Sequence, residues 1–166
     1  TKKIMKAASI NEIKKELGEL DTKALRDICM RLAKYKKENK ELLTYLLFEA
    51  HDEAGYVNAV KAEMDELFYN LPSGNVYYIK KSLRRVLRIV NKQIKYSGNK
   101  QTELELRIYF CTKIKEAGVP LRSNTVLYNM NEQHLKKIKT ALAQLPDDLQ
   151  YDYHHEIVSI SWSAHL

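Results

Sequence analysis

Val76 to Tyr96 reads VYYIKKSLRRVLRIVNKQIKY, and in this stretch the pattern and the charge both point to one structure. At about 100° per residue, Val76, Ile79, Leu83, Val86, Leu87, Val90 and Ile94 share an arc roughly 100° wide. Lys81, Arg84, Arg85, Arg88, Lys92 and Lys95 fall on the other side, with Lys80 at the edge of that arc and only Ile89 between the stripes. The spacing predicts a single two-faced helix, about 30 Å long at 1.5 Å per residue, with seven side chains toward a core.

Outward from this helix the composition favours the same class. The chain has 166 residues, of which 45% are hydrophobic, enough for one domain that buries roughly two-thirds of its unfolded surface. Only 5 Gly and 3 Pro interrupt it, and Leu, Lys, Glu and Ala dominate, so helix is favoured over strand. No apolar run approaches the length of a membrane span, and TKKIMKAAS lacks the apolar centre of a signal peptide. A cytoplasmic protein with no membrane partner is expected. Two cysteines, Cys29 and Cys111, each inside an apolar helical pattern, are expected as buried thiols rather than a disulfide or a zinc site.

In chain order, Ser9 and Glu12 have capping-box spacing before a first short helix carrying Ile10, Ile13, Leu17 and Leu20. Asp21 or Thr22 can cap a second helix, whose apolar face is Leu25, Ile28, Cys29 and Leu32. ELLTYLLFEAH, residues 41–51, is so dense in apolar side chains that it is expected as the central core helix, with Leu46 buried. After Gly55, a possible kink or boundary, comes a helix with Val57, Val60, Met64, Leu67, Phe68 and Leu71. Pro72, Ser73 and Gly74 mark a turn. SGNK at 97–100 marks another, and the next helix points Leu104, Leu106, Ile108, Cys111 and Ile114 inward. Gly118 and Pro120 stop it. A further helix opens at Ser123 or Asn124, carries Val126, Leu127, Met130, Leu135, Ile138, Leu142 and Leu145, and ends at Pro146. DDLQYDYHHE can add one turn, while IVSISWSAHL alternates. The expectation is an all-α chain, either a multi-helix bundle or a short α-solenoid-like stack of helical hairpins. It places one helical domain at 1–150 and an extended or poorly ordered tail at 151–166. LRDICMRLAKY ending at Tyr35 also aligns with VLRIVNKQIKY ending at Tyr96, an offset of 61 residues that suggests two copies of a helical hairpin.

Chemistry is sparse. Glu49, His51, Asp52 and Glu53 form the densest titratable cluster, yet a di-metal bundle needs two Glu-x-x-His segments, and a deaminase needs Pro-Cys-x-x-Cys beside His-x-Glu. Neither is present, and a solvated helix end is the simpler reading. His154 and His155 are adjacent and would diverge by about 100° on a helix. His134 sits among polar residues. Phosphate-binding glycine loops, His-Glu-x-x-His, Gly-x-Ser-x-Gly and Ser-x-x-Lys are all missing. No catalytic residue, cofactor or metal ligand is assigned, and a non-catalytic role is expected.

The charge is more informative. Residues 67–102 hold 8 Lys/Arg and no acid, whereas residues 49–66 hold 6 Asp/Glu and 1 Lys. Lys81, Arg84, Arg85, Arg88, Lys92 and Lys95, with Tyr77 on the same face as a stacking ring, are candidate contacts for an anionic partner such as single-stranded nucleic acid. Against this, the acidic block, with Glu49, Asp52, Glu53, Glu63, Asp65 and Glu66, can fold back across Pro72–Gly74 and neutralise part of the face, and either that or an ordinary solvated face is the outcome expected. Such exposed pairs contribute roughly 0 to 1 kcal/mol each.

The opening stretch, INEIKKELGELDTKALRDICMRLAKYKKENKELLTYLL, resembles the N-terminal part of uncharacterised all-helical bacterial proteins of unknown function, and this likeness brings no site residues. The same stretch also resembles the two-helix SAP-type DNA-binding motif, through Leu17-x-x-Leu20 and the following helix from Leu25 to Leu32. The reading that results is a helical module that binds another macromolecule, through a protein partner or self-association, or alternatively through nucleic acid on the basic face of 76–96.

Overall fold

The Ser9 hydroxyl accepts from the Glu12 N–H at 3.3 Å, and the Glu12 carboxylate accepts from the Ser9 N–H at 2.7 Å. This reciprocal cap starts α1, Ile10–Gly18, in the computed structural model, which describes residues 5–161. Asp21 caps α2, Thr22–Tyr35, by accepting from Ala24 N at 2.7 Å. An extended Lys36 breaks the chain before α3, Lys37–Thr44, and Asn39 Nδ2 donates to the Leu32 carbonyl at 2.9 Å, holding α3 to the end of α2.

The chain divides after Thr44 into two compact units, where the sequence suggested one domain over 1–150. No described residue of the first unit is buried. Cys29 is therefore exposed, contrary to expectation, because the apolar face of α2 belongs to a unit without an interior. Cys111 is buried, and burial pushes its thiol up to about 12, which leaves it protonated and inert.

The second unit begins with a π-helical segment, Tyr45–Glu49, in which the Ala50 N–H reaches back to the Tyr45 carbonyl at 2.9 Å. This overturns the central role expected for residues 41–51. Only Tyr45 turns inward, its ring 4.7 Å from that of Tyr56, while Leu46, Leu47 and Phe48 stay 57, 62 and 65% exposed. Apolar density alone did not decide burial; the interior is filled by other helices. These are α4, Glu53–Tyr69; α5, Val76–Ser97; α6, Lys100–Glu116; α7, Thr125–Leu142; and α8, Asp147–Ile160.

The central helix is α6, which packs against α4, α5, α7 and α8. Leu104, Leu106, Ile108, Phe110, Cys111 and Ile114 are all buried around its circumference. A helix apolar on every side can lie only at the middle of a bundle. On α5 the expected arc is observed: Ile79, Leu83, Val86, Val90 and Ile94 are buried, with Val76 and Leu87 half-buried beside them. Gly98 ends α5 at φ 65°, a left-handed conformation that favours glycine, and Asn99 immediately caps α6 through Gln101 N and Thr102 N. That tight turn sets α5 alongside α6.

α8 corrects the expected tail: residues 151–160 are helical, with Tyr153 and Ile160 buried. The alternating end from 162 onward lies outside the described residues. The two segments aligned at an offset of 61 residues fall on α2 and α5, of 14 and 22 residues; Val86 and Val90 are buried, whereas their counterparts Leu25 and Cys29 are half-buried and exposed. Among the described residues the protein has eight α-helices and no strand, and no helix is long and apolar enough to cross a membrane.

Candidate nucleic-acid interface

Asn75 caps α5 by accepting from Tyr77 N at 2.9 Å, and Gly98 closes its other end. Its core arc fixes its rotation, so the side opposite Leu83 and Val90 must face solvent. Lys81, Arg84, Arg85, Arg88 and Lys95 are exposed, and Lys80 and Lys92 are half-buried. At the N-terminal end Tyr77 and Tyr78 are 60 and 54% exposed, with ring centres 5.3 Å apart at 80°. The Lys80 ammonium lies 6.0 Å from the Tyr77 ring centre, a cation–π distance.

A groove of about 510 Å³ runs along this helix, lined by Tyr77, Lys80, Lys81, Arg84, Leu87, Arg88 and Asn91. Of the sequence candidates, Tyr77, Lys81, Arg84 and Arg88 meet there, and Arg85, Lys92 and Lys95 do not line it. Lys80, Leu87 and Asn91 were not singled out as contacts. Their spacing of three and four residues continues the Tyr77–Lys81–Arg84–Arg88 stripe, and that was the available signal.

Among the described residues no carboxylate of the acidic block pairs with Lys81, Arg84, Arg85, Arg88 or Lys95. Asp65 turns to α6, accepting from Lys113 at 3.0 Å and from the Tyr109 hydroxyl at 2.8 Å. These bonds, that from Lys113 first, hold the Asp65 carboxyl below the ordinary aspartate range despite some burial. Glu53 accepts from the Tyr45 hydroxyl at 2.6 Å, from the Thr102 hydroxyl at 2.6 Å and from the Ser97 hydroxyl. Burial pushes the Glu53 carboxyl up, but the three donors outweigh it and keep it ionised. Asp52 caps α4 through Gly55 N at 2.9 Å. Among the described residues, Lys81, Arg84, Arg85, Arg88 and Lys95 have no ion-pair partner. The physical reason is that α4 packs on α6, so its carboxylates find the lysine and hydroxyls there. Two other concavities, of about 610 and 520 Å³, include Asp65, Glu66 and Glu116 in one and Glu105 and Glu156 in the other. Among the described residues no carboxylate lines the groove on α5.

The helix is braced from below. Arg107 on α6 is 6% exposed, and its Nε and Nη2 donate to Glu103 at 2.9 and 2.8 Å. Its Nη1 donates to Asn91 Oδ1, on the groove, at 3.2 Å. Burial pushes the Glu103 carboxyl up, yet the bonds from Arg107 and Lys100 prevail and hold it low.

His134 on α7 is also buried, 4.9 Å from the Phe110 ring centre, and its Nε2 has no hydrogen-bond partner among the described residues. Desolvation, with the nearby charges of Arg107 and Lys137, depresses its pKa to about 3. The unfolded chain therefore takes up a proton as pH falls through about 6.5 that the folded chain refuses until about pH 3. Stability present above pH 6.5 is lost over that window, at up to about 1.4 kcal/mol per unit of pH. His134→Leu is expected to flatten the acid limb between pH 6 and pH 4.5 by that amount, read as the urea midpoint at each pH; an unchanged limb would show that the folded protein protonates His134.

The titratable groups of the 49–53 cluster are used for capping and packing, or lie exposed at Glu49 and His51. Among the described residues no three His, Cys, Asp or Glu side chains lie together as a metal ion requires. Comparison with known protein families, with curated proteins and with solved structures finds no match for this chain.

Proposed function

We propose that this protein is a helical binding module whose second unit holds nucleic acid by its phosphates along α5. The observation that carries this is the set of exposed cations on one helix, Lys81, Arg84, Arg85, Arg88 and Lys95, unpaired among the described residues and beside a groove that no described carboxylate lines. Cations left without protein partners are cheap to leave hydrated and gain most when they displace counterions from a polyanion. The test is fluorescence anisotropy with a labelled mixed-sequence oligonucleotide in a salt series. For about four neutralised phosphates the log-log slope is expected near −3 on a single strand and near −3.6 on a duplex. Absence of binding at low salt would end this reading. Displacement of the oligonucleotide by polyglutamate of equal charge concentration would reassign the face to an acidic polypeptide.

The first unit favours a second, separate contact through a protein surface. Its helices leave Ile10, Ile13, Leu17, Leu20, Ile28 and Leu32 exposed, with no described residue buried. A helical unit of this size without an interior gains stability when its apolar face is covered. Self-association through this face is expected to give a mass above 19.4 kDa that rises with concentration in sedimentation equilibrium, and Leu17→Lys with Leu32→Lys is expected to restore the monomer. A monomer at all concentrations would remove self-association.

A further inference from the structure

We infer that the groove takes unpaired nucleotides, and that Asn91 is the residue that contacts their bases. This rests on the nucleic-acid reading of α5 and adds which form of nucleic acid is held and by what group.

The orientation of the Asn91 amide follows from chemistry. Guanidinium nitrogens only donate, so the atom of Asn91 facing Arg107 Nη1 at 3.2 Å is the carbonyl oxygen. Arg107 is itself immobilised by two bonds to Glu103, so this orientation is set from the interior. Among the described residues the amide nitrogen of Asn91 makes no hydrogen bond, and Asn91 lines the groove. The groove therefore holds, among its cations, one neutral donor of fixed direction, placed one turn beyond the apolar side chain of Leu87. An apolar surface next to an amide donor suits the face and the acceptor edge of a base, while Arg84 and Arg88 take the flanking phosphates.

Position on the helix selects the form of the nucleic acid. The buried arc of α5 is centred near Val90, so the part of the helix that projects furthest carries Lys81 and Arg88, with Arg85 and Lys95 beside them. A duplex reads a helix by that projecting ridge when the helix enters its major groove. Leu87 and Asn91 lie about 60° to 100° around from the centre of the buried arc, low on the flank and half-buried. The stacked edges of a duplex cannot descend to that flank past Arg84 and Arg88. A single strand, whose bases can turn away from its backbone, can do so, and Tyr77 offers a ring for another base at the opposite end of the stripe, about 21 Å along the helix at 1.5 Å per residue.

The experiment uses the full chain, a labelled oligothymidylate, and a labelled duplex of mixed sequence, in anisotropy titrations across a salt series. The unmodified protein is expected to bind the single strand more tightly than the duplex. Asn91→Ala is expected to weaken the single strand by about fivefold and leave both the duplex affinity and the salt slopes unchanged, since no phosphate contact is lost. Asn91→Asp keeps an acceptor for Arg107, and so the fold, but deletes the donor; it is expected to reduce the preference for the single strand as well. A preference that survives in both variants, or an unmodified protein that favours the duplex, overturns the role of Asn91 while leaving the phosphate reading of α5 standing. Failure of the unmodified protein to bind either probe overturns that reading itself.

Discussion

Reversing two charges, Arg84→Glu with Arg88→Glu, is expected to lower affinity for a single-stranded oligonucleotide by about fiftyfold or more at 50 mM salt, with no loss of fold. Each phosphate contact releases roughly 0.7 counterion on a single strand, which at that salt is worth about 1.2 kcal/mol, or about eightfold in affinity. Two lost contacts multiply, and the two new negative charges add repulsion. The salt slope is expected to fall from near −3 to about −1.5. Both side chains are exposed and neither has a partner among the described residues, so stability is expected to stay within about 0.5 kcal/mol of the unmodified protein. Had the acidic block been their partner, the same change would lower the melting temperature instead. A destabilised variant with unchanged binding would therefore restore the neutralised-face reading.

The second large effect belongs to the brace under α5. Glu103→Ala is expected to destabilise the protein by about 3 kcal/mol or more, because it leaves the Arg107 charge, with a side chain only 7% exposed, facing a single neutral acceptor on Asn91. The penalty comes from stranding the ion rather than from losing an attraction. The double variant Glu103→Leu with Arg107→Met is expected to recover most of that loss, since exchanging both partners for apolar groups of similar size is often neutral. Urea denaturation of the two variants decides between these outcomes, and equal losses in both would show that the pair acts through packing rather than charge. The pair also bears on pH. The folded-state pKa of Glu103 is depressed, so its stabilisation is present above the ordinary glutamate range and disappears as pH falls through the lower folded value.

How much of this was legible in the sequence depends on whether a residue's fate is set within its own helix. The buried side of α5 was legible because an arc of seven apolar positions fixes the rotation of a helix wherever it packs; Ile79, Leu83 and Val90 lie where the period puts them. The class was legible for the same reason in α4, α6 and α7. The importance of residues 41–51 was misread because density of apolar side chains does not say which helix lies at the middle. α6 earns that place by carrying apolar residues all round, including Phe110 and Leu104. α8 was read as no more than one added turn because Tyr153 and Ile160, its buried residues, are separated by polar neighbours and leave only a weak stripe.

For the interface, the cations could be named from their run, but their freedom from acids could not. It depends on Asp65 meeting Lys113, a pairing between α4 and α6 that spans 48 positions. The spacing could have placed Asn91 on the stripe, but not the orientation of its amide, which is imposed by Arg107 from another helix.

The most direct test of the basic face is an NMR titration of the isotope-labelled full chain with oligothymidylate at low salt, following backbone amides. The expected result is a set of shifts concentrated on α5 between Tyr77 and Lys95, strongest at Tyr77, Arg84, Arg88 and Asn91, that reverses when salt is raised. Shifts confined to α1–α3, or none at any salt, would contradict a nucleic-acid surface on α5.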